Sequence, residues 1–222
     1  AEAHVEVARR ADVFVIAPAT ADCLARLAHG MTSDMVTLTA LATTAPILLA
    51  PAMDNQMWEH PATQENVTTL RNRGVEFVGP MEGRLASGRS GLGRLAEVPQ
   101  VVGAVRMLIG QRSGDLAGRN IVVSAGGTQE PLDPVRYVGN RSTGKMGFAI
   151  AEAARDRGAH VTLVTGPVAL ETPYGIHRVD VNTVAEMLVA LEQATADSDA
   201  IIMSAAPADY RPANPSAHKL KK

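Results

Sequence analysis

Two stretches of the sequence collect glycine and polar residues at spacings suited to phosphate or acyl chemistry. Gly139-Asn140-Arg141-Ser142-Thr143-Gly144-Lys145-Met146 nearly completes the G-x-x-x-x-G-K-S/T loop that cradles nucleotide phosphates. Met146 stands where a hydroxyl must reach a magnesium ion, and Gly126 to Val138 separate the loop from the apolar run at Ile121. A glycine-rich start to a helix is the plainer reading, although backbone N–H groups at such a start still make an anion site. Gly88-Arg89-Ser90-Gly91-Leu92-Gly93 has its glycines in the wrong order for a dinucleotide fingerprint, and no strand feeds it.

Single residues need the same weighing. Asn140 with Lys145, and Asp209 with Lys219, Lys221 and Lys222, fall at expected strand ends or helix starts, where open α/β sheets bind ligands. The alternative for the lysines is a solvated tail. His4 sits on one face of an expected helix, where a lone histidine is more often structural. Met53-Asp54-Asn55-Gln56-Met57-Trp58 follows Ala50-Pro51 and carries the single Trp; Asp54 there suits a helix N-cap equally well. Ser87 lies in no G-x-S-x-G elbow.

The elements that must position these residues alternate. Val13–Ala17, Ile47–Ala50 and Val75–Val78 read as strands, with a helix carrying Leu24, Leu27 and Ala28 between the first two. A second helix carries Met35, Leu38 and Leu41, capped by Ser33 or Asp34, and a third runs from Thr63 to Arg73 before Gly74. Gly110-Gln111-Arg112-Ser113-Gly114-Asp115 marks a break. Beyond it, strands at 121–125, 160–164 and 200–203 alternate with helices at 146–157 and 184–194. The expectation is α/β: two doubly wound, Rossmann-like parallel-sheet domains, at 1–110 and 119–222 with a linker at 111–118, both incomplete.

Composition narrows the function. The 222 residues are 46% hydrophobic and 20% charged, an ordinary globular balance, while 3% aromatics leave an aliphatic core. A formal charge of -2 supplies no basic excess for nucleic acid. A single Cys excludes an internal disulfide or a multi-cysteine metal site and fits a reducing compartment. No apolar run is long enough for a membrane span, and no secretory signal is read, so the expectation is a cytoplasmic protein. The absence of an initial Met and the lysine end suggest a piece of a longer protein.

Together these motifs resemble the bifunctional proteins of coenzyme A biosynthesis, in which phosphopantothenoylcysteine decarboxylase is joined to phosphopantothenate–cysteine ligase. Residues 124–136 are similar to the ligase signature A-G-x-T-x-E-x-I/L-D-x-V-R. Asn140 to Gly147 resembles N-x-S-S-G-K-M-G, Ala205 to Tyr210 resembles A-A-V-A-D-Y/F, and Lys219-Leu220-Lys221-Lys222 matches K-x-K-K. In the first part, His4 falls at the family's active-site histidine, with Val7 for Leu. Pro18-Ala19-Thr20-Ala21-Asp22 resembles P-A-T-A-N and Pro51-Ala52-Met53-Asp54 resembles P-A-M-N, each with Asp for Asn. Leu85-Ala86-Ser87-Gly88 matches the flexible loop of the proton donor, with Ser for Cys.

The resemblance implies two activities. The ligase activates 4′-phosphopantothenate with CTP and Mg2+ as an acyl-cytidylate, which the cysteine amine then attacks. It implies Asn140 acting on that intermediate, Lys219 contacting CTP and helping to convert the intermediate, Lys221 at the substrate, and Ser204, Ala205 and Asp209 in the cytidine site. The decarboxylase uses FMN, because an amide-linked cysteine has no electron sink of its own. The resemblance places Pro18, Ala19, Thr20 and Met53 at the flavin, Asp22, Asp54 and Met57 at the substrate, His4 as base and Ser87 as proton donor. No metal is expected to be bound by the protein itself, and a homo-oligomer is expected. A Ser hydroxyl is a far weaker acid than a thiol of pKa about 8.5, which leaves open a ligase with a flavin-binding assembly domain. A generic P-loop hydrolase is the third reading.

Overall fold

A computed structural model describes residues 2–221; Lys222, the last lysine of the K-x-K-K match, lies outside them. The chain divides into two compact units, 1–108 and 109–222.

The first unit runs α1 (Ala3–Arg10), β1 (Phe14–Ala19), α2 (Ala21–His29), α3 (Met35–Ala42), β2 (Ile47–Pro51), α4 (Asn55–Glu59), α5 (Pro61–Asn72), β3 (Glu76–Phe77), β4 (Met81–Arg84) and β5 (Ser90–Arg94). β1, β2 and β3 form a parallel sheet in that order, and β4 and β5 an antiparallel hairpin. Side chains choose the boundaries. The Thr20 hydroxyl accepts from Cys23 N to start α2, and Gly30 ends it in the left-handed region. Asp34, rather than Ser33, caps α3 by accepting from Thr37 N at 2.8 Å. α5 starts two residues before the expected Thr63, because His60 caps it and Pro61 tolerates the first turn. Leu24, Ala28, Leu49, Trp58, Val67 and Leu70 make the core between sheet and helices.

The sequence is then helical from Val98 to Ser113 (α6), so Gly110, read as the start of a break, lies inside a helix. Its smallness serves close approach: a Cβ there would sit 2.4 Å from the Asp156 carbonyl.

The second unit continues with β6 (Asn120–Ala125), β7 (Gln129–Pro131), β8 (Tyr137–Gly139), α7 (Lys145–Asp156), β9 (His160–Thr165), β10 (His177–Asp180), α8 (Val184–Thr195) and β11 (Ala200–Met203). Four parallel strands are ordered β10-β9-β6-β11, with Asn120 opposite His160 and Ala200 opposite Ile121. Alternation along β6 assigns its two faces. Ile121, Val123 and Ala125 pack with Phe148 and Ala151 of α7, while Val122 packs with Met187 and Leu191 of α8. Helices on both faces make this unit doubly wound, as expected. The sequence pattern does not announce the β7–β8 hairpin, since its strands are three residues each.

Candidate functional site

In the second unit the candidate residues gather beyond the carboxyl ends of β6 and β11. The Ser124 hydroxyl, fully buried, accepts from Ser204 N at 3.0 Å and Ala205 N at 3.1 Å. Ala206 N donates to the Gly126 carbonyl at 2.7 Å, and Ala208 N to the buried Thr128 hydroxyl at 2.8 Å. These bonds strap residues 204–208 onto the end of β6 and the loop after it. Asn140 then closes the group: its Nδ2 donates to the Pro207 carbonyl at 2.7 Å and to Asp209 Oδ2 at 3.3 Å. Both neighbours are acceptors, which fixes the amide orientation and leaves Asn140 Oδ1 as its remaining polar atom. Ser204 Oγ is buried and, among the described residues, has no hydrogen-bond partner. A buried hydroxyl rarely stays unpaired, so it is a ready contact for a ligand.

Asn140, Ser204, Ala205 and Asp209 are therefore neighbours, although 69 residues separate Asn140 from Asp209. Lys219 and Lys221 lie exposed on a segment without helix or strand. That segment is tied back to the β7–β8 turn, where Asp133 and Arg136 bond the backbone of Leu220. The Arg136 guanidinium, with the N–H groups of Val135, Leu220 and Arg136, holds the Asp133 carboxyl far below the usual carboxylate range. The near P-loop does not form one: Gly144 caps α7 in the left-handed region, Met146 is exposed on the first turn, and the hairpin separates the loop from β6.

In the first unit, β1 and β2 end side by side, with Ala52 N donating to the Ala19 carbonyl at 3.1 Å. Met53 N donates to the Gly93 carbonyl at 2.9 Å. Only glycine permits that approach, since a Cβ on Gly93 would lie 2.2 Å from the Met53 carbonyl oxygen. The contact brings the β4–β5 hairpin against the segment after β2. A cavity of about 340 Å³ opens there, lined by Met53, Asp54, Arg84, Leu85, Ser87 and Arg94. Ser87 Oγ donates to Asp54 Oδ2 at 2.8 Å, while Asp54 Oδ1 caps α4 by accepting from Gln56 N. Those two bonds, with Arg89 nearby, hold the Asp54 carboxyl below its ordinary value. It is a carboxylate and an acceptor at neutral pH. Asn55 Oδ1 is buried beside these residues without a partner among the described residues.

The other candidates of this unit have local partners. Asp22 pairs with Arg26 at 2.9 Å one turn along α2, Thr20 is occupied as a cap, and Met57 is half exposed on α4. The Ala17–Pro18 bond is cis. His4 lies 3.5 Å from Glu2, and no described bond joins it to Asp54 or Ser87. Burial, with Asp34 and Asp22 nearby, pushes the Cys23 thiol up, away from proton donation. Ser124, Thr128, Asp133 and Arg136 fall within the 124–136 signature match, but the sequence assigns none of them a role of its own. A hydroxyl ending an apolar strand run was the available signal for the first.

No helix among the described residues is long and apolar enough to cross a membrane, and no group of three or more His, Cys, Asp or Glu among them is placed to hold a metal ion.

Two family models match separate parts of the chain. Residues 1–110 match the family model described as Flavoprotein, and residues 116–222 the model described as DNA/pantothenate metabolism flavoprotein C-terminal domain. The chain is 46% identical over 223 residues, 99% of its length, to the coenzyme A biosynthesis bifunctional protein CoaBC of Mycobacterium tuberculosis (strain ATCC 25618 / H37Rv), of which it covers 53%. It is 47% identical over 219 residues, again 99% of its length, to the protein of that name from Vibrio vulnificus (strain YJ016), covering 54% of it. The chain thus spans about half the length of the curated relatives it matches. Among solved structures it is similar to the C-terminal domain of a coenzyme A biosynthesis bifunctional protein CoaBC, at 47% identity and a TM-score of 0.42 over 44% of this chain and 49% of that one.

Proposed function

From a chain homologous along its whole length to coenzyme A biosynthesis bifunctional proteins, we propose that residues 119–222 are part of a CTP-dependent phosphopantothenate–cysteine ligase. Residues 1–110 then belong to an FMN-dependent phosphopantothenoylcysteine decarboxylase. The observation that carries this reading is the convergence of Asn140 and Asp209 beside the unpartnered Ser204 hydroxyl, from segments far apart in sequence.

In the ligase, negative charge accumulates on phosphate and acyl oxygens, and fixed donors and cations answer it. Ser204, Ala205 and Asp209 receive the cytidine. Lys219 and Lys221 meet the triphosphate, which brings its Mg2+ with it. Asn140, held rigid by Pro207 and Asp209, orients the acyl-cytidylate of 4′-phosphopantothenate for attack by the cysteine amine.

In the first unit, Pro18, Ala19, Thr20 and Met53 line the carboxyl ends of β1 and β2, where such sheets bind their ligands. The adjoining cavity and the buried, unpartnered Asn55 Oδ1 fit a flat ligand with a ring N–H to donate. FMN, when bound, supplies the electron acceptor that decarboxylation of an amide-linked cysteine lacks. His4 is the base for the substrate thiol, and Asp22, Asp54 and Met57 face the substrate. The protein works in the cytoplasm as a homo-oligomer.

A second reading has its own observation. A hydroxyl donating to an ionised carboxylate is a poor proton donor, because releasing its proton would leave two adjacent anions. The Ser87–Asp54 bond therefore favours a first unit that binds flavin but reduces slowly, with the ligase as the working activity.

Incubation of the purified protein with 4′-phosphopantothenate, CTP, Mg2+, cysteine and FMN, followed by mass spectrometry, tests both. Phosphopantetheine and CMP are the expected products. A halt at phosphopantothenoylcysteine selects the second reading, and nucleotide hydrolysis without amide formation overturns the ligase.

A further inference from the structure

The segment bearing Lys219 and Lys221 has no helix or strand, and residues 217–221 are exposed. Leu220 itself is 50% exposed, so burial of apolar surface does little to hold it. Hydrogen bonds to one ion pair do. Leu220 N donates to Asp133 Oδ2 at 3.1 Å, and the Leu220 carbonyl accepts from Arg136 Nη2 at 3.2 Å. The pair is closed on itself: Arg136 Nε and Nη2 reach Asp133 Oδ2 at 3.0 and 2.6 Å. Asp133 Oδ1 accepts from Val135 N at 2.9 Å and Arg136 N at 2.8 Å, locking the turn on which both residues sit. The Asp133 side chain is fully buried. One carboxylate and one guanidinium thus occupy both backbone groups of the residue between the two lysines. At the other end of the segment, Ser216 N donates to the Leu132 carbonyl at 2.9 Å.

We propose that the Asp133–Arg136 pair is the positioning device of the lysine segment, fixing its backbone at Leu220 so that Lys219 and Lys221 meet the phosphates of a nucleoside triphosphate from set starting points. The pair does not itself touch the nucleotide. The inference rests on the ligase reading of this unit. Ordering a loose segment at the moment of binding costs conformational entropy, and a clamp made beforehand removes that cost from binding. The guanidinium also neutralises a carboxylate that would otherwise repel a triphosphate. Arginine is required because one planar fork serves carboxylate and carbonyl together, whereas a lysine is a point charge.

The test measures CTP binding by calorimetry for the full chain, Lys219→Ala, Arg136→Lys and the double variant, together with hydrogen exchange at the Leu220 amide. Arg136→Lys is expected to weaken CTP roughly tenfold. It is expected to speed exchange at Leu220, and to add less than its single effect on top of Lys219→Ala. Fully additive losses would overturn the proposal, since Arg136 would then act on the nucleotide directly. Unchanged exchange at Leu220 would overturn the clamp. An unmodified protein that ignores CTP overturns the ligase reading instead, and the exchange result still decides the clamp. If Arg136→Lys fails to fold, Leu220→Pro deletes the clamped N–H from the other side and carries the same expectation for CTP, alone and on top of Lys219→Ala, with exchange read at the Lys221 amide instead.

Discussion

In residues 109–222 the groups that assemble the candidate site are buried and join segments far apart in sequence, whereas in residues 1–108 most candidates satisfy a partner within one helical turn. Ser124, Thr128 and Asp133 are each at most 3% exposed. They reach across 80, 80 and 87 positions to Ser204, Ala208 and Leu220. In the first unit Thr20 bonds three residues away, Asp22 four and Asp54 two. Among the side chains of these candidates the exception is Ser87 with Asp54, 33 positions apart. A site bonded across the fold is organised before its ligand arrives; a site whose polar groups cap their own helices depends on the ligand to organise it.

The comparison breaks first at Asn140. Asn140→Asp puts a third acceptor against the Pro207 carbonyl and Asp209, so the carboxylate turns away; on the ligase reading proposed above, the acyl-cytidylate then loses its orienting group. Loss of an oriented group of this kind costs on the order of 100- to 1,000-fold in rate. Quenched-flow analysis should show the intermediate accumulating with CTP binding retained; unchanged amide formation would remove Asn140 from the mechanism.

Ser124→Ala comes next. It strands the N–H groups of Ser204 and Ala205, a loss of about 1–3 kcal/mol. The aromatic residues allow each unit to be followed separately, since the single Trp is Trp58, and all three Tyr (Tyr137, Tyr174 and Tyr210) lie beyond residue 109. Urea unfolding read by tyrosine emission should shift, while the Trp58 transition stays in place. Ser87→Ala, at an exposed loop, should move the Trp58 transition by no more than about 0.5 kcal/mol. Equal shifts in the two experiments would erase the contrast.

These differences also explain what the sequence makes legible. The doubly wound order follows from apolar runs such as Ile121–Ala125 alternating with capped helices, because burial on both faces leaves a continuous apolar run. Asn140 and Asp209 are legible through the motifs they sit in, which resemble those of a ligase family. Their meeting is not, since it depends on the straps from Ser124 and Thr128, and a lone hydroxyl in a strand end announces no partner. Gly110 misleads for a related reason: glycine serves turns and close approaches alike, and here the second use falls inside a helix. The Ser87–Asp54 bond is equally hidden, because each residue has an ordinary local reading.

The pH dependence separates the clamp from the rest of its unit. Asp133 is held well below its unfolded value of about 3.9, so the stability it contributes is fully present above that pH. That contribution fades as pH falls from the unfolded value toward the lower, folded one. Asp133→Asn should therefore lower the Tm read by tyrosine emission by a constant amount between pH 5 and 7. The gap to the unmodified protein should close below about pH 4. A gap that persists in strong acid would show that the aspartate acts through its shape and not its charge.

The smallest expected effect is the most informative about the first unit. Ser87→Cys replaces a hydroxyl by a thiol whose ordinary pKa is about 8.5, a far better acid, at the tip of a loop where neither residue is buried. The carboxylate of Asp54 acts on both side chains, raising the cost of ionising either, so the gain in acidity is partly cancelled. On the decarboxylase reading proposed above, decarboxylation by Ser87→Cys is accordingly expected to equal the unmodified rate or exceed it by a few-fold in stopped flow. Combining it with Asp54→Asn removes the anion and should raise the rate further, because an amide can donate as well as accept. If Ser87→Cys slows the reaction, Ser87 is not at the proton-transfer step. If neither variant changes it, protonation is carried by water or by another residue, and the 2.8 Å bond merely closes the loop over α4.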